Sequence, residues 1–176
     1  MKNSQAKTTA KQSTGTPDAI AMLTKDHKEV KALFDKFEST KGEQAKKNIV
    51  ETACDELEIH AQLEEEIFYP AIRAKINDDD LMNEAEEEHL IVKRLIAELR
   101  EMQPSDEHYD AKFTVLGEGV EHHVKEEESD MFVKAKKSGV DLLELGAKML
   151  KRKQQLQNGA GDATHSKMDR KQPMGR

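Results

Sequence analysis

One pattern constrains this chain more than any other: an imidazole and a carboxylate one helical turn apart, beside aromatic residues, written twice. The first copy is His60-Ala61-Gln62-Leu63-Glu64-Glu65-Glu66-Ile67-Phe68-Tyr69-Pro70, and the second is His123-Val124-Lys125-Glu126-Glu127-Glu128-Ser129-Asp130-Met131-Phe132. His60 corresponds to His123, and Glu64 to Glu127, at one offset of 63 residues. Upstream of each copy lies a second repeat, Asp26-His27 in a helical stretch against Glu88-His89, offset by 62. The chain is therefore two similar halves. Each supplies one His from a first helix, then a His and a Glu from a second.

Apolar residues at three- and four-residue steps place these groups on inward faces. Ile20, Leu23, His27, Val30, Phe34 and Phe37 form one seam, in a helix that Thr16 caps and Pro17 and Asp18 begin. Ile49, Ala53, Leu57, His60, Glu64 and Ile67 form the second, which Pro70 is expected to end or kink. Met82, Ala85, His89, Val92, Ile96 and Leu99 form the third, stopping before Pro104. Phe113, Leu116, Val120, His123, Glu127 and Met131 form the fourth, starting near Ser105-Asp106-Glu107. A shorter helix from Asp141 to about Gln157 carries Leu142, Leu145, Met149 and Leu150 and reads as a lid on one end. Short connections make the expected fold all-α: an antiparallel up-down-up-down four-helix bundle with a short fifth C-terminal helix and disordered tails. The expected bounds are a basic tail over residues 1–16, the bundle over 17–157 and a second tail over 158–176.

Residues i and i+4 share a helix face, so His60 with Glu64 and His123 with Glu127 each aim two ligands at one point. His27 and His89 complete a set of four imidazoles and two carboxylates. Buried without partners, those charges would cost several kcal/mol each, and a pair of divalent cations compensates them. Mixed imidazole and carboxylate donors suit iron, with manganese and zinc as the other metals they accommodate. With both carboxylates bridging, the protein fills about eight of roughly twelve positions in two octahedra. The remainder suit a small ligand such as dioxygen, nitric oxide or peroxide, enclosed by Phe34, Phe68 and Ile96. The runs Glu64 to Glu66 and Glu126 to Glu128 otherwise read as solvated faces. His122 points about 100° away from His123, and His108 and His165 fall in a cap region and a tail, so none of the three joins the set.

Charge narrows the partners. The net charge of −7 is uneven: residues 1–16 carry +3 and residues 151–176 carry +5, leaving −15 for residues 17–150. Such a core repels a phosphate backbone and is not expected to bind nucleic acid, while the basic tails leave room for weak contact with anionic partners. The tails lack apolar periodicity and are expected to be disordered. No apolar run approaches the roughly 18 residues of a membrane span, and no apolar signal core opens the chain, which reads as cytoplasmic. The one cysteine, Cys54, reads as a small buried helix residue.

On Asp26-His27, residues 60–70, Glu88-His89 and residues 123–132, the chain resembles the bacterial hemerythrin-like domains named for an HHE (His-His-Glu) cation-binding motif, over roughly residues 18–150. The resemblance implies a non-haem di-iron centre held by His27, His60, Glu64, His89, His123 and Glu127, with Glu64 and Glu127 as bridges. Oxygen-carrying members use a fifth histidine four residues before the third-helix ligand, where this chain has Ala85, and Glu86 is the candidate replacement. A binder of dioxygen, nitric oxide or peroxide, serving sensing, storage or detoxification, is the leading expectation. A redox enzyme with catalase-like or nitric oxide-reducing activity is the alternative. Repair of iron–sulfur centres is a third class, in which relatives add cysteines in an N-terminal segment that residues 1–16 lack.

Overall fold

The computed structural model describes Gly15 and residues 17–168, with side chains to residue 159. Helix α1 spans Ala19–Ser39 and α2 spans Glu43–Leu63. A π-helical turn, Glu64–Phe68, continues α2 into α3, Tyr69–Ile76. Helix α4 spans Asp79–Glu101 and α5 Tyr109–Glu126. A second π turn, Glu127–Met131, leads into α6, Phe132–Lys137, and α7 spans Leu142–Met168. Among the described residues every element is helical, and no helix is long and apolar enough to cross a membrane.

Local chemistry sets the boundaries. Asp18, not Thr16, caps α1, its carboxylate accepting from the Ala21 N–H at 2.8 Å. Thr16 lies outside the described residues. Gly42 precedes α2 at φ 96°, a conformation that costs a residue with a Cβ. Asn77 closes α3 in the left-handed region, and the Asp78 carboxylate accepts from the Leu81 N–H to open α4. Helix α5 begins at Tyr109, later than the Ser105-Asp106-Glu107 cluster implies, because the Asp106 carboxylate turns back to accept from the Gln103 N–H and closes the loop instead. Pro70 does not end its helix. It stands in the first turn of α3, where a missing N–H is tolerated.

Helices α1, α2, α4 and α5 form the bundle, with α3 and α6 prolonging its second and fourth rods. Their inward residues separate into two apolar clusters. One gathers Leu23, Leu63, Phe68, Ile72, Met82 and Phe132. The other gathers Val30, Ala53, Leu57, Ile96, Phe113 and Leu116. The histidines lie in the layer between them.

Helix α7 lies along α1 and α2 rather than only over one end, and it runs past residue 157, where the C-terminal tail was expected to begin. No proline interrupts residues 142–168. Residues 1–14 and 169–176, to which the expectation of disordered tails also applies, lie outside the described residues. The docking depends on Gly146, since a Cβ there would strike the Pro17 carbonyl oxygen and stand 2.8 Å from Asp18 C and 2.9 Å from Ala19 N. These are backbone atoms and cannot swing aside.

Gly146→Ala is therefore expected to destabilise the fold by about 1–3 kcal/mol, the usual cost of overpacking. Gly119→Ala, on α5 with nothing within 4 Å of the new methyl, is expected to stabilise it by about 0.5–1 kcal/mol. Urea midpoints followed by circular dichroism measure both, and equal shifts of one sign would contradict the docking.

Candidate metal centre

The six side chains selected from the sequence meet in the buried layer between the two apolar clusters. His27 Nε2 lies 3.2 Å from His60 Nε2, which lies 3.2 Å from Glu64 Oε2. Glu64 Oε2 lies 3.3 Å from His89 Nε2, and His89 Nε2 lies 3.1 Å from His123 Nε2. His123 Nε2 lies 3.6 Å from Glu127 Oε2, which returns to His27 Nε2 at 3.4 Å. The contacts close a ring. Two imidazole pairs face each other, and each carboxylate stands between a histidine of its own half and one of the other.

The donor set fits metal ions. Glu64 Oε1, Glu64 Oε2 and Glu127 Oε2 are buried with no hydrogen-bond partner, an arrangement a folded core does not sustain uncompensated. Nitrogens bound about 2.1 Å from one ion at a right angle stand about 3.0 Å apart, close to both imidazole pairs. Two groups of ligand atoms lie within reach of one ion: His27, His60, Glu64 and Glu127, and Glu64, His89 and His123. Without an ion the histidines serve as counter-charges. Burial alone would lower the His60 pKa, but the Glu64 carboxylate beside it raises it to about 10. His27 and His89 are raised in the same sense against their own burial. Burial opposes ionisation of Glu64 too, yet His60 and His89 hold it well below the ordinary carboxylate range.

A second layer of carboxylates orients the rings through their outer nitrogens. His27 Nδ1 meets Glu128 at 3.0 Å, His89 Nδ1 meets Glu65 at 2.9 Å, and His123 Nδ1 meets Glu88 at 2.7 Å. Asp26 faces His60 Nδ1 across 3.8 Å, too far for a hydrogen bond, and is itself gripped by Lys153 of α7 at 2.6 Å. Sequence reasoning took the glutamate runs for solvated faces and missed this layer. Its signal was in the duplication: an acid stands immediately before His27 and His89 and immediately after Glu64 and Glu127.

The π turns were also missed. Each begins at a ring carboxylate, and the Tyr69 N–H donates to the Glu64 carbonyl as the Phe132 N–H does to that of Glu127. In an i→i+5 turn the residue above Glu64 is Tyr69 rather than Phe68. The Tyr69 hydroxyl thereby reaches the ring, donating to Glu127 Oε1 at 3.0 Å, with His89 Nε2 at 3.3 Å. Its counterpart Phe132 stacks on His27, centroids 5.8 Å apart. Burial, then the Glu64 and Glu127 carboxylates, push the Tyr69 hydroxyl well above its usual range, so it holds its proton. Glu86 does not replace the fifth histidine. It is on the surface, hydrogen-bonded to Arg73 at 2.6 Å, while Ala85 is buried in the same apolar cluster as Tyr69.

Opposite the carboxylates, the rings border a small cavity walled by Val30, Leu57, Ala61, Val92, Val120 and Val124, of about 20 Å³. That is room for about one water-sized molecule. Phe34 and Ile96, expected to enclose the site, do not line it, and Phe68 packs edge-on against Phe132 in the neighbouring cluster. Phe34 instead lies over Gly117 in a surface groove between α1 and α5, which shares His27, Val120 and Val124 with the cavity wall. His122 is outside the ring and exposed, His108 precedes α5 as its cap residue, and the His165 side chain lies outside those described. Cys54 is buried, its thiol pushed up to about 12 by burial.

Comparison with known proteins bears on the family and the fold. Residues 18–135 match the model of the hemerythrin HHE cation binding domain. A crystal structure of a hemerythrin HHE cation-binding domain-containing protein from Mycobacterium kansasii superposes with a TM-score of 0.72 at 26% identity, covering 82% of this chain and 90% of that one. A Nostoc protein named as a DNA nickase is 30% identical over 122 residues, 69% of this chain, but this chain spans only 34% of its length. On the extent of the family match and the fold it shares, the chain belongs to the hemerythrin HHE cation-binding domain family.

Proposed function

We propose that His27, His60, Glu64, His89, His123 and Glu127 would hold two iron ions, and that the centre binds one small ligand, dioxygen, nitric oxide or peroxide, for sensing, storage or detoxification. The observation that carries this reading is the set of three buried carboxylate oxygens without a partner inside a ring of imidazole nitrogens. Iron in these positions supplies open coordination sites and one-electron redox chemistry.

The chain's own residues set the terms of that chemistry. The outer carboxylates fix each imidazole's orientation and leave its inner nitrogen free to coordinate. The valine-walled cavity admits a diatomic-sized molecule and excludes larger substrates. The Tyr69 hydroxyl keeps one proton beside Glu127. A neutral hydroxyl donor beside the ring favours a second reading, a redox enzyme that turns over peroxide or nitric oxide, because such a donor can hydrogen-bond an oxygen-containing ligand there. Turnover assays on the iron-loaded protein, set against reversible ligand-dependent absorption changes, choose between the two. The name of the Nostoc relative belongs to a protein about twice as long, and no nicking is assigned to this chain, since residues 17–150 carry −15 and repel phosphate.

Metal analysis tests the ligand assignment: His60→Ala and His123→Ala are expected to fall well below the wild-type iron content, with His122→Ala unchanged. Equal iron in all three proteins would refute it. Adjacent glutamates test the outer layer. Glu65→Gln is expected to weaken metal binding about 10–100-fold in a chelator competition. Glu66→Gln, which removes only a surface pair with Arg152, is expected to leave it unchanged.

A further inference from the structure

A third set of ligand-type side chains lies outside the ring. His122, Glu126 and Glu88 bring one nitrogen and two carboxylate oxygens within 4.8 Å of one another. His122 Nε2 is 3.5 Å from Glu88 Oε1 and 3.5 Å from Glu126 Oε1. Two ligands bound about 2.1 Å from one ion at the tetrahedral angle stand about 3.4 Å apart. Both imidazole-to-carboxylate distances are close to that spacing, and the two carboxylate oxygens lie within 4.8 Å of each other. His122 and Glu126 also repeat the His-x-x-x-Glu spacing of His123 and Glu127, displaced by one residue, so α5 carries the ligand pair on two adjacent faces.

The first half does not share this feature. The residues 63 positions earlier are Ile59 and Leu63, packed in the apolar cluster to which α7 contributes Leu145 and Met149. The second-half pair stays open to water, with the His122 side chain 61% exposed. Glu88 joins the two sites, since its Oε2 meets His123 Nδ1 at 2.7 Å while its Oε1 faces His122.

We propose that Glu88, His122 and Glu126 form a second, surface site for a divalent transition-metal ion, linked to the buried centre through the shared Glu88 carboxylate. One imidazole and two carboxylates select an ion of the zinc or iron(II) type over magnesium or calcium, which favour all-oxygen sites. Three protein ligands leave the remaining positions to water, so the ion exchanges readily, and the acidic core raises the local concentration of cations.

The test is a calorimetric zinc titration of the iron-loaded protein after desalting. The wild type is expected to take up one further zinc ion per chain, and His122→Ala and Glu126→Gln are each expected to lose it with buried iron unchanged. Both substitutions are at least partly exposed and leave the apolar clusters intact. His60→Ala separates this site from the buried one: it is expected to lose iron and keep the His122-dependent zinc. No zinc uptake by the wild type, or equal uptake by His122→Ala, would overturn the proposal and leave the cluster an ordinary surface ion pair.

Discussion

The structure depends on two carboxylates, Glu64 and Glu127, that stand essentially without solvent exposure in the middle of an all-helical core. A buried charge without compensation costs more than most domains hold in total stability. Everything nearby addresses that cost. Four imidazoles face the carboxylates, three with pKa values raised toward the cationic form, and four further acids stand behind the imidazoles. The charges thus alternate outward in layers: carboxylate, imidazole, carboxylate, and in places a lysine such as Lys93 or Lys153. Such a lattice sets protonated imidazoles and lysines against the buried carboxylates.

Duplication explains how one chain builds this arrangement economically. Two of the outer acids cross over between halves, Glu65 holding His89 and Glu128 holding His27, while Asp26 faces His60 and Glu88 holds His123 within their own halves. Each half therefore orients a ligand of the other through the residue beyond its own ring carboxylate. The site cannot be completed by one hairpin. Closing the bundle and forming the centre are the same event, and this couples metal binding to the packing of α1 and α2 against α4 and α5.

The inward seams were legible because helical periodicity is local. His27, His60, His89, His123 and the two glutamates occupy positions that any α-helix would bury once their apolar neighbours are buried. What failed to show was whatever depends on contacts between helices. Glu65 and Glu128 sit off the seam and read as surface acids until the partner imidazole is in place. Pro70 reads as a helix end or kink. Yet the second half makes the same π turn without a proline, so the turn goes with the buried carboxylate it begins on, and Pro70 merely tolerates it. Glu86 was chosen for its chemistry and proximity in sequence, but Arg73 on α3 holds it at the surface. The aromatic that does reach the centre is Tyr69, brought in by the wider turn.

The two halves then part company, and the differences fall on one axis. Tyr69 places a hydroxyl against Glu127, while Phe132 places a bare ring against His27. Helix α7 covers the first half and ties Lys153 to Asp26, whereas the second half leaves Glu88 facing an exposed His122. A duplicated site with identical ligands therefore has inequivalent surroundings: helix α7 backs the His27 and His60 side through Lys153 and Asp26, and the Tyr69 hydroxyl reaches the His89 and His123 side. Two ions held by such a pair would differ in redox potential and in ligand preference even with matched first coordination spheres, because hydrogen bonding and solvent access tune a metal as strongly as its ligands do. The asymmetry arises from only a few residues, Tyr69 against Phe132 and His122 against Ile59 among them, in a frame that is otherwise repeated.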